Sequence, residues 1–205
     1  MREKASLNGR AVVRVMGKAQ DELPFIFLVA CVKGKVDHPA PARDLYTSAW
    51  FNKAKAFVEA TGKPWYILSA EHGLVDPNTT LRPYDKTLYK MTPTQRRAWG
   101  RKVGAQLTDI LPPHSRVAVL AGKVYRKPIW NTLKDVALRV YVPMEGLQIG
   151  EQLRWLTQAA AKLRRGVPFT KAMGISSCWW KTPDGRVDQS VAAAWRAKVI
   201  ARIRR

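Results

Sequence analysis

At 205 residues, 46% of them hydrophobic and eight of them tryptophan, the chain is long enough for one good core with a basic appendage or two, and it is not a disordered polymer. Lys and Arg number 36 against 15 Asp and Glu, a net charge of +21 that suits phosphate backbones, anionic membranes or acidic proteins as partners. With no apolar run of membrane-spanning length, no signal-like core in residues 1–20, two cysteines and three scattered histidines, the expectation is a reduced, cytoplasmic monomer without metal, cofactor or membrane attachment.

Along the chain, Val12-Val13-Arg14-Val15 reads as a short edge strand within a basic N-terminal segment. Phe25 to Ala30 has the unbroken apolar character of a strand buried on both faces, as parallel sheets require. Thr47 or Ser48 can cap a helix through about Ala60, with Phe51, Ala54, Phe57 and Val58 on its apolar face; Gly62 and Pro64 end it. Trp65 to Leu68 is the second strand, and a loop of about 20 residues follows, a length more often functional than idle. Thr92-Pro93 opens a helix through about Leu111, with proline at its first position. Val117 to Leu120 is the third strand, 124–136 a helix, Leu138 to Val142 the fourth strand and about Gln148 to Leu163 a last helix. This alternation predicts an α/β domain over residues 1–165, a three-layer αβα sandwich around a mainly parallel four-stranded sheet.

Residues 166–205 differ in character and read as a basic helical C-terminal extension packed on that domain. Its acids are Asp184 and Asp188 alone, against Lys171, Lys181, Arg186 and the cluster from Arg196 onward. Val191, Trp195 and Val199 recur every four residues as one apolar stripe on a basic helix, which suits docking on the domain, a membrane surface or simple solvation.

The chemistry-bearing residues concentrate where the strands end, the edge at which open parallel sheets bind ligands. After the first strand come Cys31, Lys33 and Lys35, then Arg43, Asp44 and Tyr46. The cations can hold phosphate, without the spacing of a Walker loop; Cys31 reads as a structural thiol or a nucleophile. After the second strand, Ser69 leads to Glu71 and His72, fit to orient water, stabilise positive charge on a sugar or move a proton, or else to cap a turn. The same long loop holds Tyr84, a stacking ring or loop packing, and Asp85, a chemical acid or a clamp on backbone amides. Gly122 after the third strand permits close backbone approach, with Tyr125 and Arg126 one turn on. Glu145 stands after the fourth strand near a helix start, where acids also serve local ends.

Taken together, Leu28-Val29-Ala30-Cys31 with Lys33 and Lys35, Ala42-Arg43-Asp44-Leu45-Tyr46, Leu68-Ser69-Ala70-Glu71-His72-Gly73-Leu74, Pro83-Tyr84-Asp85, Leu120-Ala121-Gly122 and Pro143-Met144-Glu145-Gly146-Leu147 resemble a little-characterised bacterial and phage domain family. The resemblance covers about residues 25–160. That family is similar to the glycosylase-like domain of archaeal tRNA-guanine transglycosylases and, remotely, to uracil-DNA glycosylases. The resemblance implies an αβα fold that takes a flipped nucleotide into a pocket at the strand ends. Two departures stand out: Cys31 to Lys35 replaces the Gly-Gln-Asp-Pro-Tyr loop, and no His-Pro-Ser loop follows a late strand. The acid would then come from Asp44, Glu71 or Asp85, and a modified or bulky base, as in phage DNA, becomes a better substrate than uracil.

The leading expectation is a DNA glycosylase that binds the phosphate backbone and hydrolyses the N-glycosidic bond of one flipped base. Such a bond is out of reach inside the stack, and its cleavage calls for a carboxylate beneath the sugar and a cation or His near the base. A non-catalytic nucleic-acid-binding or tRNA-directed specificity module is the second reading, and a nucleoside or nucleotide hydrolase or transferase the third.

Overall fold

The computed structural model of the chain describes residues 23–174. The expected edge strand at Val12 to Val15, and the basic helix bearing Val191, Trp195 and Val199, lie outside the described residues.

The first long strand, β1 (Phe25–Ala30), is buried along its whole length, as its uninterrupted apolar run requires. A two-residue strand β2 (Ala40–Pro41) and a short helix α1 (Ala42–Leu45) precede α2 (Ala49–Ala60), whose first turn is closed by the Ser48 hydroxyl accepting from the Phe51 amide. Phe51, Ala54, Phe57 and Val58 form its buried face, the stripe expected from their spacing. β3 (Trp65–Ser69) follows.

The segment after β3 is more structured than the expected loop. It turns at once into an antiparallel strand β4 (Gly73–Val75), pairs β5 (Thr80–Leu81) with β2, and makes one 3-10 turn at Leu88–Lys90. Gly73 carries the turn at φ +82°, a left-handed conformation that side chains resist. α3 (Pro93–Ile110) starts on a complete capping box, Thr92 with Gln95, and has proline in its first turn.

β6 (Arg116–Leu120) comes next, and the single helix expected over 124–136 is in fact broken. α4 (Lys123–Arg126), a 3-10 turn at Lys127–Ile129 and α5 (Trp130–Val136) replace it, because Pro128 supplies no backbone N–H to a continuous helix. β7 (Arg139–Tyr141), α6 (Ile149–Arg164) and α7 (Phe169–Ala172) complete the described chain.

The result is a mixed α/β fold around a five-stranded sheet in the order β4-β3-β1-β6-β7. The four expected strands run parallel, and β4 adds an antiparallel edge. That edge is closed by Gln106 of α3, whose carboxamide accepts from the Leu74 amide at 2.9 Å and donates to the Leu74 carbonyl at 3.3 Å, as a further strand would. Helix α2 packs on α6, while α3 packs on α5 and β4. Residues 169–173 pack on this fold: the Phe169 ring meets Phe25 edge-on at 4.9 Å, and Ala172 and Met173 are buried.

Candidate functional site

In the strand order, β1 hands the chain to β3 on one side and β6 hands it to β7 on the other. The two loops leaving β1 and β6 therefore diverge, and the crevice they open is where open α/β sheets hold their ligands. A cavity of about 390 Å³ occupies that crevice. Ala30 to Lys33 line it from the end of β1, and Gly122 and Tyr125 line it from the end of β6. The loop before α3 supplies Asp85, Lys86, Thr87 and Tyr89, while Trp50, Ile149 and Gln152 come from the first turns of α2 and α6.

Two of these residues break the usual rule for apolar side chains. Tyr89 is 64% exposed and Ile149 63%, well above any other large hydrophobic residue of the described chain. Both stand at the cavity, where a flat apolar ligand would cover them. Tyr125, beneath them, is buried; its hydroxyl lies 3.3 Å from the Cys31 sulfur and its ring meets Trp99 edge-on at 5.7 Å. Trp50 is fixed by its indole N–H, which donates to Gln152 Oε1 at 2.9 Å, and Gln152 in turn donates to the Leu147 carbonyl.

Behind the cavity runs a chain of hydroxyls. Tyr84 lies within 2.8 Å of both the Tyr46 hydroxyl and the Ser69 hydroxyl. Ser69 Oγ also accepts from the amides of Glu71 and His72, which fastens the turn into β4. The Trp99 indole donates to the Ser69 carbonyl at 2.8 Å. Burial pushes the Tyr46, Tyr84 and Tyr125 hydroxyls far above their ordinary range, so they serve as neutral donors and acceptors.

Lys35, expected to meet phosphate, turns inward instead. Its ammonium donates to the carbonyls of Val32 and Lys33 and sits 4.2 Å above the Tyr84 ring. Desolvation lowers its pKa, against the opposing pull of Cys31 and Asp85 nearby. This lysine ties the β1 loop to the Tyr84 loop.

The expected acids separate. Asp85 is the single carboxylate lining the cavity, with Lys33 and Lys86 as its cationic neighbours there. Glu71 sits in the turn after β3 and is paired at 3.0 Å with Lys86, so it holds a cavity lysine without lining the cavity itself. His72 packs its ring edge-on against Tyr84 at 5.3 Å, a loop-packing role. Asp44 is paired with Lys55 at 2.9 Å on the outside of α2, and Arg43 with Glu59 at 3.6 Å beside Pro64 and Trp65, where β3 begins. Both therefore leave the candidate site: α1 turns the segment away from the strand ends toward α2.

Arg126 and Glu145, paired at 2.8 Å, line a separate smaller cavity of about 190 Å³ that shares Gly122 and Gln152 with the first. Sequence reasoning missed Trp50, Lys86, Thr87, Tyr89, Ile149 and Gln152. The available signal was their position at helix starts or next to an expected site residue, since Lys86 and Thr87 directly follow Asp85.

Among the described residues no cluster of three His, Cys, Asp or Glu side chains could hold a metal ion, and no helix is long and apolar enough to cross a membrane. The Cys31 thiol is free and buried; Cys178 lies outside the described residues. Nothing among curated proteins or solved structures matches the chain. A family model does, over residues 26–158, a span that contains every residue lining the crevice between β1 and β6. The chain belongs to that family, a family of unknown function (DUF6884).

Proposed function

We propose that the protein is a nucleic-acid-directed N-glycosyl hydrolase whose crevice accepts one flipped, modified base. The observation that carries this reading is the make-up of the cavity: one carboxylate, two lysines, and the unusually exposed Tyr89 and Ile149 around a crevice at the divergence of β1 and β6. An aromatic heterocycle matches the exposed apolar side chains, and the phosphates attached to it match the lysines.

Asp85 is the catalytic carboxylate in this reading, acting as general base. Its carboxylate stabilises positive charge developing on the sugar and takes a proton from the water that attacks the anomeric carbon. The glycosidic electron pair leaves with the base, which is then protonated, and Lys33 or Lys86 offsets its negative charge in the transition state. Cys31 and Tyr125 form the floor, while Tyr84, Ser69 and Lys35 hold the loop that presents Asp85. In the same reading the fold is a three-layer αβα sandwich akin to that of uracil-DNA glycosylases. The paired helices support it: α2 with α6, α3 with α5. The crossovers β1 to β3 and β3 to β6 run in opposite directions, which under the right-handed rule sends α2 and α3 to opposite faces. DNA is the partner and the cytoplasm the setting, with the protein acting as a monomer.

A second reading, a binding module without catalysis, is favoured by one feature: Asp85 is exposed on the rim instead of enclosed. Mass spectrometry of bases released from unmodified and phage-modified genomic DNAs separates the two. Asp85→Asn is expected to lower release by about 10²-fold or more while DNA binding persists; Glu71→Gln, one bond removed from the cavity, is expected to cost less than about 10-fold. Tight DNA binding with no base released from any substrate would overturn the hydrolase in favour of the binding module.

A further inference from the structure

A second cationic feature lies outside the crevice. A groove of about 570 Å³ lies between the first turn of α3 and the segment from α4 into the 3-10 turn, lined by Pro93, Arg96, Arg97, Lys123, Val124, Lys127 and Pro128. Four of those seven residues are cations and none is an acid. Not one of the four takes part in any of the five ion pairs of the described chain. Elsewhere the fold does neutralise its cations, as Lys55, Lys86 and Arg126 demonstrate. Four like charges around one concavity repel one another, and a compensating anion relieves that repulsion.

The groove is also built toward the crevice. Arg96 donates to the carbonyls of Leu88 at 2.8 Å and Tyr89 at 3.2 Å, so the side chain that lines the groove also braces the backbone that carries the exposed ring at the crevice. Lys123 lines both the groove and the smaller cavity, and that cavity shares Gly122 and Gln152 with the crevice. A positively charged path thus leads from Lys33, past Gly122 and Lys123, to Arg97 and Lys127.

We propose that this groove is a binding track for a nucleic-acid backbone, taking the phosphodiesters that flank the nucleotide held in the crevice. A phosphodiester chain fits better than an isolated anion. The cations are spread along a groove on two separate elements, whereas a single phosphate would call for convergent donors. The inference rests on the proposed function only in that a nucleotide of a nucleic acid enters the crevice, and it stands whether or not a bond is broken.

The test measures oligonucleotide binding by fluorescence anisotropy over a range of salt, with the full chain carrying Arg97→Gln, Lys123→Gln and Lys127→Gln together. All three side chains are exposed, so the fold is expected to persist, and circular dichroism checks it. A matched variant, Lys162→Gln, Arg164→Gln and Arg165→Gln, removes the same charge from exposed positions at the end of α6. The groove variant is expected to flatten the log affinity against log salt plot by about 2 to 3, at roughly 0.7–0.9 per lost phosphate contact, and the matched variant by less than 1. Equal effects of the two variants, or no effect of either, would overturn the track. Loss of base release with unchanged binding in Asp85→Asn reports on the crevice chemistry alone, so the two proposals fail separately.

Discussion

Tyr84 holds three parts of the chain at one point: Tyr46 after α1, Ser69 at the end of β3 and its own loop. Replacing it with Phe leaves the hydroxyls of two buried residues, Tyr46 and Ser69, to find new partners, at a cost of about 1–3 kcal/mol measured by urea unfolding. The alkaline behaviour of the same cluster can be signed. Tyr46, Tyr84 and Tyr125 have folded pKa values raised above their ordinary 10.0, so the folded state retains protons that the unfolded chain gives up. Their contribution to stability is complete below pH 10 and falls as pH rises beyond it. Lys35 acts in the other direction. Its lowered folded pKa means that the unfolded chain binds the extra proton, so stability rises as pH climbs from the folded value toward 10.5. The urea midpoint is therefore expected to rise on approaching pH 10 and to turn down above it. Lys35→Met should remove the rise and leave the downturn, and a midpoint that climbs through pH 11 would refute the tyrosine assignment.

At the scale of elements, the contact between α3 and the segment after α4 depends on two residues without bulky side chains. A methyl group on Gly100 would lie 2.5 Å from the Pro128 carbonyl oxygen and 2.8 Å from its Cβ, and one on Gly104 would lie 2.9 Å from the Thr132 hydroxyl. Gly100→Ala is expected to destabilise by about 1–3 kcal/mol through forced separation, despite the better helix propensity of alanine. Gly122→Ala, whose added methyl would meet only the Tyr89 hydroxyl at 3.4 Å, should leave thermal stability nearly unchanged. β1, β3 and β6 were legible because burial on both faces leaves nearly unbroken apolar runs, and α2 and α3 because caps and periodicity agree; β7, half-buried at the far edge of the sheet, does not share that burial. β4 was not, because a three-residue strand beyond a tight turn has no periodicity to detect. Gly122, Tyr125, Cys31 and Lys33 could be placed at the crevice from strand ends alone, and Asp85 from its place in the long loop after β3. Tyr89 and Ile149 could not: what marks them is exposure, which depends on how α6 and the loop before α3 pack in space. Asp44 and Arg43 stand apart from the crevice, since the turn through α1 carries them to pairs with Lys55 and Glu59 of α2.

At the scale of the whole molecule, the charge belongs to the folded body as much as to its ends. Residues 23–174 hold 24 Lys and Arg against 10 Asp and Glu, so most of the excess decorates the described fold. A compact body with that imbalance repels itself, and salt relieves the repulsion over a screening length of about 10 Å at 0.1 M. The melting temperature is expected to rise with added sodium chloride, and to rise further at low salt when an oligonucleotide is present. Affinity for that oligonucleotide should move the other way. Lys33 and Lys86 at the crevice, with Arg96, Arg97, Lys123 and Lys127 along the groove, make six candidate phosphate contacts. At roughly 0.9 per contact they give a log–log salt slope of about −5 for duplex DNA, or nearer −4 for a single strand. A slope shallower than about −2 would mean that crevice and groove are not occupied together. The positive excess would then serve general attraction to polyanions, with the crevice open to small, weakly charged ligands.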